Sequence, residues 1–171
     1  MFHSADMMQK ITFLAGIAIG IYALETLIPK PIPWFRLGLS NAVVLCVLVI
    51  FGLKYALLVS ILRTTVGSLI TGMFLNPFFF FGLLGGIVST CVMWIFYAMG
   101  KKVFSLIGIS ILGALAHNVV QLFLAYIMYI KRTEVFYLLP LFILLSVVTG
   151  AITGISAIYL KRIFKPAFTF N

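Results

Sequence analysis

The feature that most limits the fold of this chain is the length of its apolar runs. Six stretches, at about 11–28, 37–51, 55–74, 78–99, 103–130 and 136–160, are almost wholly apolar. A helix needs about 20 such residues to cross the ~30 Å hydrocarbon core of a bilayer. Within that core every backbone N–H and C=O must be satisfied by the chain itself, which favours helices. Of the 171 residues 64% are hydrophobic and only 9% are charged, too few polar groups to solvate a water-soluble surface. The runs use up most of the length, so the expected fold class is an all-α integral membrane protein: one transmembrane domain over residues 1–171, built as a six-helix bundle.

Local signals mark the breaks. A Pro-rich turn with Trp34, Lys30 to Arg36, closes the first helix at head-group level. The second run is short for a full span. Asn76-Pro77 is a turn signal before the fourth helix, and Pro140 is tolerable only in the first turns of the sixth. The first run contains Glu25 and leads straight into the Pro-rich turn without a small-residue cleavage site, so it reads as a retained helix rather than a removed leader. Lys10, Lys54, Lys101, Lys102, Lys161, Arg162 and Lys165 fall on one side of such a bundle, and Lys30, Arg36, Lys131 and Arg132 on the other. Seven against four puts both termini in the cytoplasm of a multi-pass cell-membrane protein. The net charge of +9 invites a nucleic-acid reading. The basic residues sit at helix ends, however, where cytoplasmic retention and lipid head groups account for them, so no nucleic-acid partner is expected.

Polar residues within the spans are the best functional pointers, because a charge in hydrocarbon costs about 3 kcal/mol or more unless it is partnered. Arg63 lies mid-span in the third helix, Glu25 in the outer third of the first, and Asn41 near the outer start of the second. His117, Asn118 and Gln121 lie in the middle and outer part of the fifth; His117 and Gln121, four apart, share a helix face. With the N-terminus inside, all six lie between mid-depth and the outer face and together can line a cavity open to the outside. Each also has a plainer reading. Glu25 and Arg63 can neutralise one another as a buried pair, His117 can be an inter-helix hydrogen-bond partner, and Asn41 after Ser40 can be a helix cap.

Small residues form a second pattern. Gly16 and Gly20 make a flat G-x-x-x-G face on the first helix, fit either for packing within the bundle or for docking a partner helix. Gly82, Gly85 and Gly86 in the fourth helix, and Gly150 and Gly154 in the sixth, read the same way. Cys46 and Cys91 fall inside spans with no C-x-x-C pair, so they read as small buried hydrophobes. A lone histidine without a carboxylate or cysteine nearby is a poor metal site, and no metal or other cofactor is expected. The single aspartate, Asp6, leaves no paired-aspartate motif to hold magnesium on a diphosphate. With no G-x-S-x-G and no Walker loop either, the chain reads as a non-enzyme without an ATPase of its own.

Three segments carry a resemblance: Leu37-Gly38-Leu39-Ser40-Asn41, Leu62-Arg63-Thr64-Thr65-Val66-Gly67-Ser68 and Gly113-Ala114-Leu115-Ala116-His117-Asn118-Val119-Val120-Gln121. Over roughly Ile11 to Leu160 the chain resembles the Gx transporter family, also labelled heptaprenyl diphosphate synthase component I, and through it the substrate-binding S components of energy-coupling factor (ECF) transporters. The resemblance implies a six-helix bundle that captures a small molecule from outside and docks on a transmembrane coupling protein driven by two cytoplasmic ATPases. S components dock through an A-x-x-x-A face on their first helix; here that place holds Gly16 and Gly20. Polyprenyl synthases carry aspartate-rich diphosphate motifs that this chain lacks.

The expected function is therefore the substrate-binding subunit of an ECF-type importer for a small vitamin-like, quinone-like or prenyl-derived molecule. Arg63 would attract an anionic or carbonyl group, Asn41, His117, Asn118 and Gln121 would orient it, and Glu25 would tune Arg63 or gate the mouth. The alternative is a non-catalytic accessory subunit of isoprenoid or quinone biosynthesis. A third reading is a structural membrane protein whose polar cluster only holds the bundle together.

Overall fold

The computed structural model describes residues 2–28, 38–100 and 103–168, and their side chains over 7–28, 38–100 and 103–164. The Pro-rich turn with Trp34, the expected first residue of the second helix (Leu37), the pair Lys101-Lys102 and the Lys165 side chain lie outside them. The elements are α1 (Phe2–Leu27), α2 (Asn41–Phe51), α3 (Leu53–Ile70), α4 (Pro77–Met99), α5 (Leu106–Ala125), a π-helical turn (Tyr126–Ile130), a 3-10 stretch (Thr133–Leu138) and α6 (Leu139–Phe168). No strand occurs among the described residues, and the fold is the all-α membrane bundle that the apolar runs imply.

The six helices differ in reach. Five segments are long and apolar enough to cross a membrane, whereas α2 has 11 residues. At ~1.5 Å per residue α2 reaches roughly 16 Å, about half the hydrocarbon thickness. A short helix that is apolar all round must be enclosed by protein. Accordingly Asn41 through Leu48 are all buried, and α2 packs against α1, α3, α4 and α6. Around it α1 lies beside α3, α3 beside α4, α4 beside α5, and α5 beside α6. An edge-to-face contact of Phe13 with Phe164, 6.1 Å between ring centroids, brings α6 back to α1. The second helix is thus a central pillar inside five longer ones.

The helix limits differ from the sequence reading at places with local causes. α1 begins at Phe2, because the polar residues before the apolar run continue the helix. α3 stops at Ile70, short of the expected 74; the chain turns through Gly72 at φ +68° and Leu75 at φ +60°. Asn76 then caps α4, its side-chain oxygen accepting from Phe78 N–H at 3.2 Å, with Pro77 in the first turn where its missing N–H costs nothing. α5 starts at Leu106, where Ser105 accepts from Gly108 N–H at 3.1 Å. Pro140 is the second residue of α6.

The glycines sort by what they face. A Cβ on Gly150 would lie 2.5 Å from Ile111 Cα, and one on Gly154 2.8 Å from Ile107 Cα, so these two let the α5 and α6 backbones touch. A Cβ on Gly16 or Gly20 would meet nothing within 4 Å, and both residues are exposed on the outer surface of α1. Gly150→Ala should therefore force α5 and α6 apart and destabilise the protein by roughly 1–3 kcal/mol. Gly16→Ala and Gly20→Ala should leave thermal unfolding in detergent unchanged or slightly raised, since alanine is the better helix former.

Candidate binding site

At the end of the bundle where α1 and α3 finish and α2 and α4 begin, buried polar groups gather around the turn that leads into α2. This turn, 38–41, is gripped from both sides. Glu25 of α1 accepts a hydrogen bond from Gly38 N–H at 2.5 Å. From α3, Arg63 donates through Nη1 to Ser40 Oγ and through Nη2 to Asn41 Oδ1, the latter at 2.5 Å. Glu25, Ser40, Asn41 and Arg63 are all buried. A charge-assisted bond is about twice as strong as a neutral one, and the surrounding hydrocarbon offers no competing water.

Local sequence makes this grip possible. Gly38 sits at φ +73°, a left-handed conformation, and a Cβ there would lie 2.9 Å from Asn41 Nδ2. Ser40 and Asn41 are cap-forming residues at the start of a helix, yet Ser40 makes no side-chain cap bond. Their oxygens accept from Arg63 instead, so the capping expectation for Asn41 gives way to a tertiary contact. On the far side of the guanidinium a Cβ on Gly86 would lie 2.8 Å from Ser60 Oγ and 3.3 Å from Arg63 Nη2. Arg63 therefore fits only because α4 is bare there. Tyr22 continues the network along α1, its hydroxyl 3.0 Å from Ser68 Oγ.

The second half of the cluster lies between α4, α5 and α6. His117 Nε2 is 3.0 Å from Gln121 Nε2, and its ring lies over Gly85, where a Cβ would be 2.8 Å from Nδ1. Asn118 Nδ2 donates to Ser146 Oγ at 2.8 Å, and Ser110 and Thr153 hydroxyls meet at 2.7 Å. Two small cavities occupy this region. An outer one is lined by Tyr22, Glu25, Gly38, Ser40, Arg63, Gly82 and His117; an inner one by Gly38, Asn41, Ser89, Met93, Ser110, Ala114, His117, Asn118, Thr149 and Thr153. Each has a volume of about 10 Å³, the room of one water-sized group, and Gly38 and His117 line both.

The structure thus brings Glu25, Asn41, Arg63, His117 and Asn118 onto cavity walls. Gln121 lies behind His117, lining neither cavity. Gly16 and Gly20 are elsewhere, on the outer surface of α1. Glu25 and Arg63 both hold the 38–41 turn by hydrogen bonds. The sequence reading missed Tyr22, Ser40, Ser89, Ser110, Ser146, Thr149 and Thr153. On α6 a signal was present: Ser146, Thr149 and Thr153 recur three or four apart, one stripe of an otherwise apolar helix.

A family described as heptaprenyl diphosphate synthase component I has a model that matches residues 14–160 of this chain. No curated protein and no solved structure matches the chain.

Removing either charge leaves the other buried on the same turn without its counterpart. Arg63→Ala should cost roughly 3–5 kcal/mol, the usual range when one member of a buried charge pair is removed. Glu25→Gln combined with Arg63→Met should cost less than the two single losses added, although the side chains act through the turn. Thermal unfolding of the four proteins in detergent measures this; strict additivity would show that the turn does not couple them.

Proposed function

We propose a function on the premise that this chain belongs to the heptaprenyl diphosphate synthase component I family: it is the substrate-binding membrane subunit, or S component, of an energy-coupling factor type importer, taking up a small vitamin-like or prenyl- or quinone-related molecule. The observation that carries this reading is the gathering of side chains from all six helices around two adjoining cavities at one end of an otherwise apolar bundle. Arg63 and Glu25 set the turn at the outer cavity. Asn41, His117 and Asn118 line the inner one, with Gln121 holding the His117 ring. A purely structural bundle has no need of so many buried polar groups at one end, since in hydrocarbon each hydrogen bond between helices contributes only about 0.6–2 kcal/mol.

The orientation follows from the basic residues. Lys10, Lys54, Lys161 and Arg162 lie toward the end opposite the site and Lys131 and Arg132 toward the site. Both termini then face the cytoplasm of the cell membrane, and the cavities face outward. A transmembrane coupling protein with two cytoplasmic ATPases would complete the transporter.

The alternative, a non-catalytic accessory subunit of isoprenoid or quinone biosynthesis, also fits the family. The surface of α1 favours the importer. Gly16 and Gly20 leave a shallow strip between exposed Phe13 and Leu24, within the span, where lipid or another membrane helix can approach closely. A partner with helices in the bilayer suits that strip; a water-soluble synthase does not. Gly16→Leu with Gly20→Leu should abolish co-purification with a transmembrane coupling protein and its ATPases while leaving the fold intact by thermal unfolding. Co-purification of the unaltered chain with a prenyl synthase and no ATPase would decide for the accessory role.

A further inference from the structure

The two cavities differ in the hydrogen-bonding capacity they leave for a ligand. In the outer one the charged groups are already engaged by the protein: Arg63 with Ser40 and Asn41, Glu25 with Gly38 N–H. Both Nη groups of the guanidinium are thus turned to the side chains that hold the start of α2. In the inner cavity no Asp, Glu, Lys or Arg lines the wall among the described residues. An anion placed there would lose its hydration and meet no Lys or Arg, the His117 imidazole being the one titratable group on the described wall.

One group in the inner cavity is different. Ser89, on α4, is 0% exposed, lines the inner cavity, and its Oγ has no hydrogen-bond partner among the described residues. A buried hydroxyl left without a partner is costly, and native structures rarely keep one without a role. A Cβ on Gly113 opposite would lie 3.2 Å from Ser89 Oγ, so bare α5 backbone makes the space for this hydroxyl. The Ser110 and Thr153 hydroxyls are paired with each other, and Asn118 with Ser146. What the wall offers a ligand is thus the neutral Ser89 hydroxyl, able to donate and accept, beside the His117 imidazole and room for one oxygen-sized group.

We infer that the end of the ligand reaching furthest into the bundle is an uncharged oxygen, a hydroxyl or a carbonyl, hydrogen-bonded to Ser89, while Arg63 positions the 38–41 turn beside the outer cavity. The inference deepens the binding-subunit reading and rests on it. It narrows the sequence-based expectation of an anionic or carbonyl group: with room for one water-sized group and no Asp, Glu, Lys or Arg on the described wall, neutral alcohols, amides and ketones fit the inner end better than diphosphates or carboxylates. The oxygen takes the place of a water of similar size, which is favourable when the new group reproduces its hydrogen bonds.

The test uses the full chain purified in mild detergent, unaltered and as Ser89→Ala. Small molecules retained through purification are identified by mass spectrometry. Binding is measured for two matched pairs of probes: farnesol against farnesyl diphosphate, and nicotinamide against nicotinate. The expected result is a retained molecule with a neutral oxygen-bearing end, or at least tenfold tighter binding of the neutral member of a pair. Ser89→Ala should then weaken retention or affinity at least tenfold with no loss of thermal stability, since the change removes an unpartnered hydroxyl. A retained phosphate or carboxylate, tighter binding of an anionic probe, or a Ser89→Ala protein that binds as well as the unaltered chain would overturn the inference and leave the binding-subunit reading in place. A chain that retains nothing and binds neither pair would overturn both.

Discussion

The polar end of this molecule depends on how the Arg63 guanidinium is kept inside an apolar bundle. In hydrocarbon its charge costs about 3 kcal/mol or more, so it must be surrounded by acceptors and electrically balanced. The 38–41 turn does both. Its Ser40 and Asn41 oxygens take the two Nη groups, and its Gly38 N–H carries the Glu25 carboxylate. The two charges meet on one short piece of backbone, and through it α1, α2 and α3 are tied together. The bare surface of α4 at Gly86 and the left-handed backbone at Gly38 are conditions of that arrangement.

The length of α2 sets where the cavities lie. A full-length helix in the centre would fill the bundle from end to end. With 11 residues α2 fills only the half away from the site, where its apolar side chains form the main core with α1, α3 and α6. Beyond its first residue, Asn41, the surrounding helices face one another across space that the turn, His117 and the small hydroxyl residues occupy. Short central helix and polar cavities are therefore one feature: the helix ends where the buried charge begins.

Glycine serves two opposite ends. Gly85, Gly86, Gly150 and Gly154 lie inside, where bare backbone admits His117, Arg63 or the facing helix. Gly16 and Gly20 lie outside with no described residue against them. In a bilayer, where burial of apolar surface drives little association, closeness of approach is the main source of packing energy. Inward glycines spend that closeness on the fold; outward ones keep it for a neighbour.

The sequence by itself determined that this chain is an all-α membrane protein, and it pointed to breaks at the turn residues and to charges and amides between mid-depth and one face. These follow from run length, turn residues and the cost of charge in hydrocarbon, all of which are local or one-dimensional. It also showed that the second run was short. Only the tertiary structure decided that α2 is an enclosed pillar, because enclosure depends on which helices surround it. The same holds for the residue roles. A lone Ser in an apolar run, such as Ser40 or Ser89, costs too little to stand out in sequence, and its meaning depends on the partner it meets or lacks. Ser40 met Arg63; Ser89 met no partner among the described residues, and that difference appears only when six helices are brought together.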